Sequence, residues 1–221
     1  MESVMIELLD EVKRELPDLM IDENSWQSLY IDYHAPVVSR LWMPWRDYRL
    51  SLHKINPCTR EDALFHPHPW PSAMEIVYGT YEYAVGFGPG EKIPPVAQFG
   101  IAATGSRYEM THPDSWHYVA PVKFPAYTIM LTGKPWDRQS PTSDRKLCPL
   151  FDWDKVEILN FFRHHLGYRL DYISHDIRLA ADMHTDSQGS KPRLSTYAAT
   201  AHVVHCQQCM EELKRKNTRG I

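Results

Sequence analysis

The chain has 221 residues, enough for one well-buried core with accessory helices and too few for two independent domains of ordinary size. A hydrophobic fraction of 43% fits a soluble globule, and a formal net charge of −4 leaves no basic footprint for a nucleic-acid partner. No apolar run reaches the length of a membrane span, Met1-Glu2-Ser3 opens no signal peptide, and four scattered cysteines make no disulfide scaffold; a soluble, cytoplasmic protein with reduced thiols is expected.

Residues 2–16 predict an amphipathic helix: Val4, Met5, Leu8, Leu9, Val12 and Leu16 recur at helical spacing, charge fills the other face, and Pro17 is expected to stop the run. Within a segment 1–27 this helix reads as a docking element on the outside of the main fold. From 28 to 138 the texture changes to short runs of β-branched and aromatic residues punctuated by Pro, Gly and Asp. Candidate strands cover 28–33, 38–43, 48–55, 64–68, 74–85, 96–103, 106–110, 117–122 and 126–132, and Gly86, Gly88, Pro89 and Gly90 form a turn cluster. Many short strands at this spacing predict a sandwich or barrel, and the jelly roll closes one with little exposed edge.

After Pro135 the pattern becomes helical, and 139–221 reads as a helical C-terminal extension. A helix is expected over 151–166, capped by Asp152 or Asp154 and ended by Gly167. The pair His164-His165 near its end reads as charge complementing the helix terminus. A linker is expected near 185–193 and a last helix over 195–216. On that helix His202, His205, Cys206 and Cys209 would share one stripe. One straight helix cannot surround an ion, so a metal there would need further ligands such as His184, Cys148 or a second subunit. A packed or oligomerising face and a redox Cys-x-x-Cys are the other readings.

Twelve histidines are many for this length, and their placement is the strongest chemical signal. His66 and His68 stand two apart, so in a strand both imidazoles leave the same face. Glu75 opens the next apolar strand and His117 opens another. Imidazole is the commonest side-chain ligand of transition metals, so this is the parts list of a metal site inside a β-barrel. Alternation puts Glu75 on the face of Val77 and Tyr81 and Glu82 on the opposite face. Glu82 instead of Glu75, or three histidines with no carboxylate, also remain open.

His66-Pro-His-Pro-Trp followed by Glu75-Ile-Val-Tyr-Gly-Thr-Tyr-Glu82 resembles the first cupin motif, and Pro113-Asp-Ser-Trp-His117-Tyr-Val119 resembles the second. Leu52-His53-Lys54 and Thr128-Ile-Met-Leu-Thr-Gly133 with Trp136 and Arg138 are similar to a group of small bacterial and phage cupins. Glu75 stands seven positions after His68, later than the motif places it, and Ser115 stands near where motif two carries glycine. The resemblance covers roughly 48–138. It implies a mainly β, cupin-like double-stranded β-helix, or jelly roll, with metal ligands His66, His68, Glu75 and His117.

Such a ligand set suits Fe(II), Mn, Ni, Cu or Zn. Fe(II) is favoured, because a three-nitrogen face leaves neighbouring positions for a chelating substrate and dioxygen. His53, Arg49, Tyr83 and Tyr127 are the candidate catalytic side chains around the ligands, and Trp70 and Trp116 the candidate pocket walls. Arg49 or Arg107 facing inward would imply an anionic substrate, since an unpaired buried guanidinium is costly. The expected function is an Fe(II) dioxygenase acting on a small polar or anionic molecule. The alternatives are a non-redox metal enzyme, isomerase or hydrolase, and a non-catalytic metal- or ligand-binding cupin. A homodimer is left open, and neither nucleic acid nor membrane is an expected partner.

Overall fold

A computed structural model describes residues 4–138, 141 and 143–166. The expected linker at 185–193, the helix over 195–216, its His and Cys stripe and His184 lie outside these residues. Ten strands, two α-helices and one short 3-10 turn of helix (Glu23–Ser25) carry the described chain. The strands are β1 (Gln27–Ile31), β2 (Val38–Trp45), β3 (Tyr48–Ile55), β4 (His66–Pro67), β5 (Ser72–Tyr78), β6 (Thr80–Phe87), β7 (Val96–Ala103), β8 (Arg107–Met110), β9 (Ser115–Pro121) and β10 (Ala126–Thr132). Helix α1 (Val4–Leu19) precedes them and α2 (Asp152–His165) follows.

Two antiparallel sheets result, one ordered β1-β2-β3-β10-β5-β8 and the other β4-β9-β6-β7. Strand β3 pairs with β10, β4 with β9, β5 with β8 and β6 with β7, as in one long hairpin. Additional pairings of β10 with β5 and β9 with β6 roll that hairpin into two sheets. This is the order of a jelly roll, and the fold is mainly β. Strands β1 and β2 extend the larger sheet beyond the roll.

The expected strand 74–85 is two strands, because the chain passes from one sheet to the other at Gly79. Its φ is +98°, and a Cβ there would lie 2.9 Å from Ala126 Cα. Only glycine meets both demands at low cost.

Register decides which side chains face inward. On the larger sheet, Leu41, Leu52, Ile129 and Glu75 form one cross-strand row, and Leu50, Leu131 and Ala73 the next. These apolar residues face α1 and α2, joining Met5, Leu9, Val12, Leu16, Ile158, Leu159 and Phe162 in one buried cluster. Burying each leucine there contributes about 1.5–3 kcal/mol, which docks the helices firmly. The opposite face carries Arg40, His53, Thr128 and Ile76 in one row, and looks into the roll. A second cluster, Ile55, Ile76, Tyr81, Ala102, Val119 and Ala126, fills one part of that interior.

Helix α1 runs two residues past Pro17, to Leu19. Proline removes one donor and the helix ends within the turn, so the expected stop becomes a last-turn position. Helix α2 is entered from Phe151 with no side-chain cap; Asp152 and Asp154 lie inside its first turn, where their negative charge complements the positive end of the helix dipole. Arg163, His164 and His165 occupy its last turn. No helix among the described residues is long and apolar enough to cross a membrane.

Candidate metal centre

The short strand β4 pairs with β9 so that His66 lies directly across from His117. His68 follows β4 and is held by its own backbone N–H, which donates to the Ser115 carbonyl at 3.3 Å. The three rings converge: centroids lie 4.9 Å apart for His66 and His117, 4.4 Å for His68 and His117, and 5.8 Å for His66 and His68. One nitrogen from each ring lies within 4.8 Å of the other two. Metal–nitrogen bonds of about 2.1 Å require nitrogens about 3.0–3.4 Å apart, so side-chain adjustment of an ångström or so closes the set.

Two of the rings are oriented by neighbours that leave the far nitrogen available. His66 Nδ1 lies 2.8 Å from the Leu64 carbonyl, which can only accept, so Nδ1 carries the proton and Nε2 keeps its lone pair. His68 Nδ1 lies 3.0 Å from Ser72 Oγ. Hydrogen bonds of this kind fix ring orientation and ligand basicity at metal sites. Burial pulls His66 down to about 4, assisted by the charges of His34 and Arg40. Burial, then His66 and Arg40, pull His68 down to about 3. Burial also holds His117 well below its ordinary value, with His68 and His66 adding to it. All three imidazoles are therefore neutral near pH 7, the form a metal requires. The donor set fits a divalent transition metal.

Glu75 is not brought to the histidines. Its side chain leaves the α1 face of β5, with both carboxylate oxygens 2.6 Å from Lys13 Nζ and one 3.5 Å from Arg107 Nε. Counting alternation from Val77 gives the right face for Val77, but that face is turned toward the helix; the crossing at Gly79 separates it from Tyr81. Glu82 pairs in register with Ala120 and Ile101, on the face opposite to His117. Neither carboxylate joins the cluster.

The four candidate catalytic residues divide. His53 faces the interior, where its Nε2 accepts from Arg40 Nε at 2.9 Å and its Nδ1 lies 3.1 Å from Thr128 Oγ1. Because arginine can only donate, the His53 proton sits on Nδ1 and both nitrogens are engaged. Burial holds it well below its ordinary value, with Arg40 and His68 adding to it. Arg49 lies at the exposed start of β3, its guanidinium 4.6 Å above the Trp42 ring. Tyr83 packs against the second core cluster, accepts from Gln98 at 3.2 Å, and leans over Gly100, where a Cβ would lie 2.8 Å from its hydroxyl. Tyr127 faces the helices instead of the interior and stacks on Phe161, centroids 3.5 Å apart. Arg107 also faces outward, bonded to Asp10 and to the Ile6 carbonyl.

Arg40, absent from the expected set, is the interior cation. A lone charge between Val38 and Trp42 in a largely apolar strand was the available signal. A cavity of about 620 Å³ opens beside His66, lined also by Phe65, Trp116, Trp136 and Arg138. Trp116 thus walls a cavity as expected, whereas Trp70 stands against His68, ring centroids 6.3 Å apart.

No protein-family model matches the sequence, and no curated protein matches it. Among solved structures, the chain is similar to hydroxypropylphosphonic acid epoxidase from S. wedmorenis, with 13% identity, a TM-score of 0.40, and 50% of this chain and 56% of that chain covered. The Fe(II) form of HppE gives 12% identity and a TM-score of 0.41 over 50% of this chain and 57% of that one. A Co(II) form of HppE with substrate gives 14% identity and a TM-score of 0.36 over 46% and 54%. The chain spans about half the length of the solved structures it matches.

Proposed function

We propose that His66, His68 and His117 hold a divalent transition metal, Fe(II) first, and that the protein is a metal-dependent enzyme, a dioxygenase acting on a small polar or anionic molecule bound in the barrel. The convergence of three neutral imidazoles, two buried and one half-buried, with a nitrogen of each within 4.8 Å of the others, carries this reading. Bound Fe(II) would supply the redox chemistry with dioxygen that the side chains alone lack. The chain's own contribution is positioning and exclusion of water. The Leu64 carbonyl and Ser72 hydroxyl hold two of the ligand rings, and His53, braced by Thr128, sets the direction of Arg40. Trp70 stands beside His68, ring centroids 6.3 Å apart.

A second reading draws on the placement of Glu75. Three nitrogens without a carboxylate are also the donor set of catalytic zinc, which acts as a Lewis acid in hydrolysis or isomerisation. Reconstitution separates the two. Protein loaded anaerobically with Fe(II) should take up oxygen when a substrate is supplied, and the zinc form should be inert. Equal turnover by both forms would reject the dioxygenase and support the Lewis-acid enzyme.

A further inference from the structure

The interior face of the larger sheet holds a cation that no acid answers among the described residues. Arg40 stands in register with His53, and its Nε–H donates to that ring. A guanidinium has five N–H donors in a fixed fork, so the donors beyond Nε remain to be used. The titratable groups that feel its charge or act on it are Tyr33, His34, His53, His66, His68 and Arg49, none of them a carboxylate. The nearby acids are engaged elsewhere: Asp32 pairs with Arg145 at 2.6 Å, and Glu75 with Lys13. Burial and the like charge of Arg49 already pull Arg40 down to about 10.

Two further residues share the inner face of the larger sheet with Arg40. Ser51, 1% exposed, lies on the inner face between His53 and Arg49, and its Oγ has no hydrogen-bond partner among the described residues. Arg49 at the rim forms no ion pair among the described residues and instead lies over Trp42. Partly desolvating a cation without a counter-charge is unfavourable, and an orphaned buried hydroxyl adds to that cost. An arriving oxyanion offsets both, since the guanidinium fork matches two oxygens and a hydroxyl supplies one more donor. Arg138 in the neighbouring cavity also has a buried Nε with no partner among the described residues, but it is less suited, because its two terminal nitrogens already donate to the Pro113, Gly88 and Gly90 carbonyls and Asp114 answers its charge at 3.5 Å.

We infer that Arg40, assisted by Ser51 and Arg49, anchors the oxyanion headgroup of the substrate, a carboxylate or phosphate-type group, beside the three histidines. This deepens the proposed function and rests on it for what happens at the histidines, but the anion site itself can be tested without metal. Chelator-treated protein is titrated with oxalate and with inorganic phosphate at fixed ionic strength, followed by calorimetry and tryptophan fluorescence. Saturable one-to-one binding of at least one of them is expected, and the stronger ligand identifies the headgroup class. Arg40→Gln should weaken it at least tenfold, Arg40→Lys less because charge survives without the fork, and Arg60→Gln, a surface control paired with Glu61, not at all. Absence of saturable binding in the wild type, or unchanged affinity in Arg40→Gln, overturns the assignment. If Arg40→Gln lacks a folded near-ultraviolet spectrum, the wild-type Arg40 Nε–H resonance decides: it moves on oxalate addition if the assignment holds and stays fixed if it does not. Co(II) uptake by the wild type, followed by its visible spectrum, reports on the metal reading separately. Uptake with no anion binding sinks only the Arg40 assignment, whereas anion binding with no uptake sinks only the metal.

Discussion

Replacing Glu75 by glutamine separates a structural carboxylate from a metal ligand. Glu75 is 11% exposed at its side chain and Lys13 27% exposed, with Nζ 2.6 Å from a carboxylate oxygen. The pair is too buried to count as a surface salt bridge worth at most about 1 kcal/mol, and too open to reach the 3–5 kcal/mol roughly lost when a fully buried pair is broken. Glutamine keeps the shape and removes the charge, leaving the Lys13 ammonium and Arg107 facing a neutral amide. The loss should be about 2 kcal/mol, which for a domain of this size lowers Tm by roughly 4–8 °C. Because Lys13 belongs to α1, amide hydrogen exchange should show α1 opening more readily than the strands. Thermal unfolding and Co(II) titration of Glu75→Gln measure the two consequences together. Unchanged Co(II) affinity with a lowered Tm is expected. A Tm equal to wild type with metal affinity reduced tenfold or more would show that Glu75 reaches the metal and that its pairing with α1 is not the native one.

Three other outcomes follow from the same geometry. The buried imidazoles have folded-state values near 4 for His66 and 3 for His68, below the unfolded value near 6.5, so the unfolded chain binds more protons in that window. Metal-free protein should keep its full stability above pH 6.5 and lose about 1.4 kcal/mol per pH unit for each such histidine as pH falls from there toward 4. A denaturation midpoint that is flat between pH 7 and pH 5 would contradict buried neutral histidines. Tyr127→Phe should leave metal binding and turnover unchanged, and Tyr127→Ala should cost about 3–5 kcal/mol through the lost burial of the ring and the cavity left against Phe161; a large fall in turnover for Tyr127→Phe would return its hydroxyl to the chemistry. Gly79→Ala should destabilise by about 1–3 kcal/mol, because the positive φ and the Ala126 contact both oppose a Cβ, and an unchanged urea midpoint would refute the sheet crossing there.

How far the sequence could be read depended on whether the two faces of a strand differ in polarity. The β3 alternation and the glycine cluster after β6 were legible because apolar and polar residues trade places there. The spacing of His66, His68 and the later His117 was legible because period two sets the face of a side chain independently of its neighbours. Strand β10 is buried along its whole length, with helices on one side and the interior on the other. It offers no alternation from which to tell that Thr128 points inward and Tyr127 outward. The same two-sided burial hid the placement of Glu75: β5 lies between α1 and the interior, and an acid there reads equally as a ligand or a partner of Lys13. Arg40 went unnoticed because a single charge within β2 resembles an ordinary solvent-facing residue. Its significance comes from what surrounds it, a set of histidines and, among the described residues, no acid, and that emerges only when β2, β3 and β4 are brought together.

Metal analysis tests the account most directly. Native protein purified without chelators, and apo-protein reconstituted anaerobically with Fe(II), should each carry close to one equivalent of a divalent transition metal. His117→Ala should carry none while keeping its far-ultraviolet spectrum. Wild-type protein that binds no transition metal at neutral pH, or His117→Ala that retains a full equivalent, would contradict a metal centre built from His66, His68 and His117.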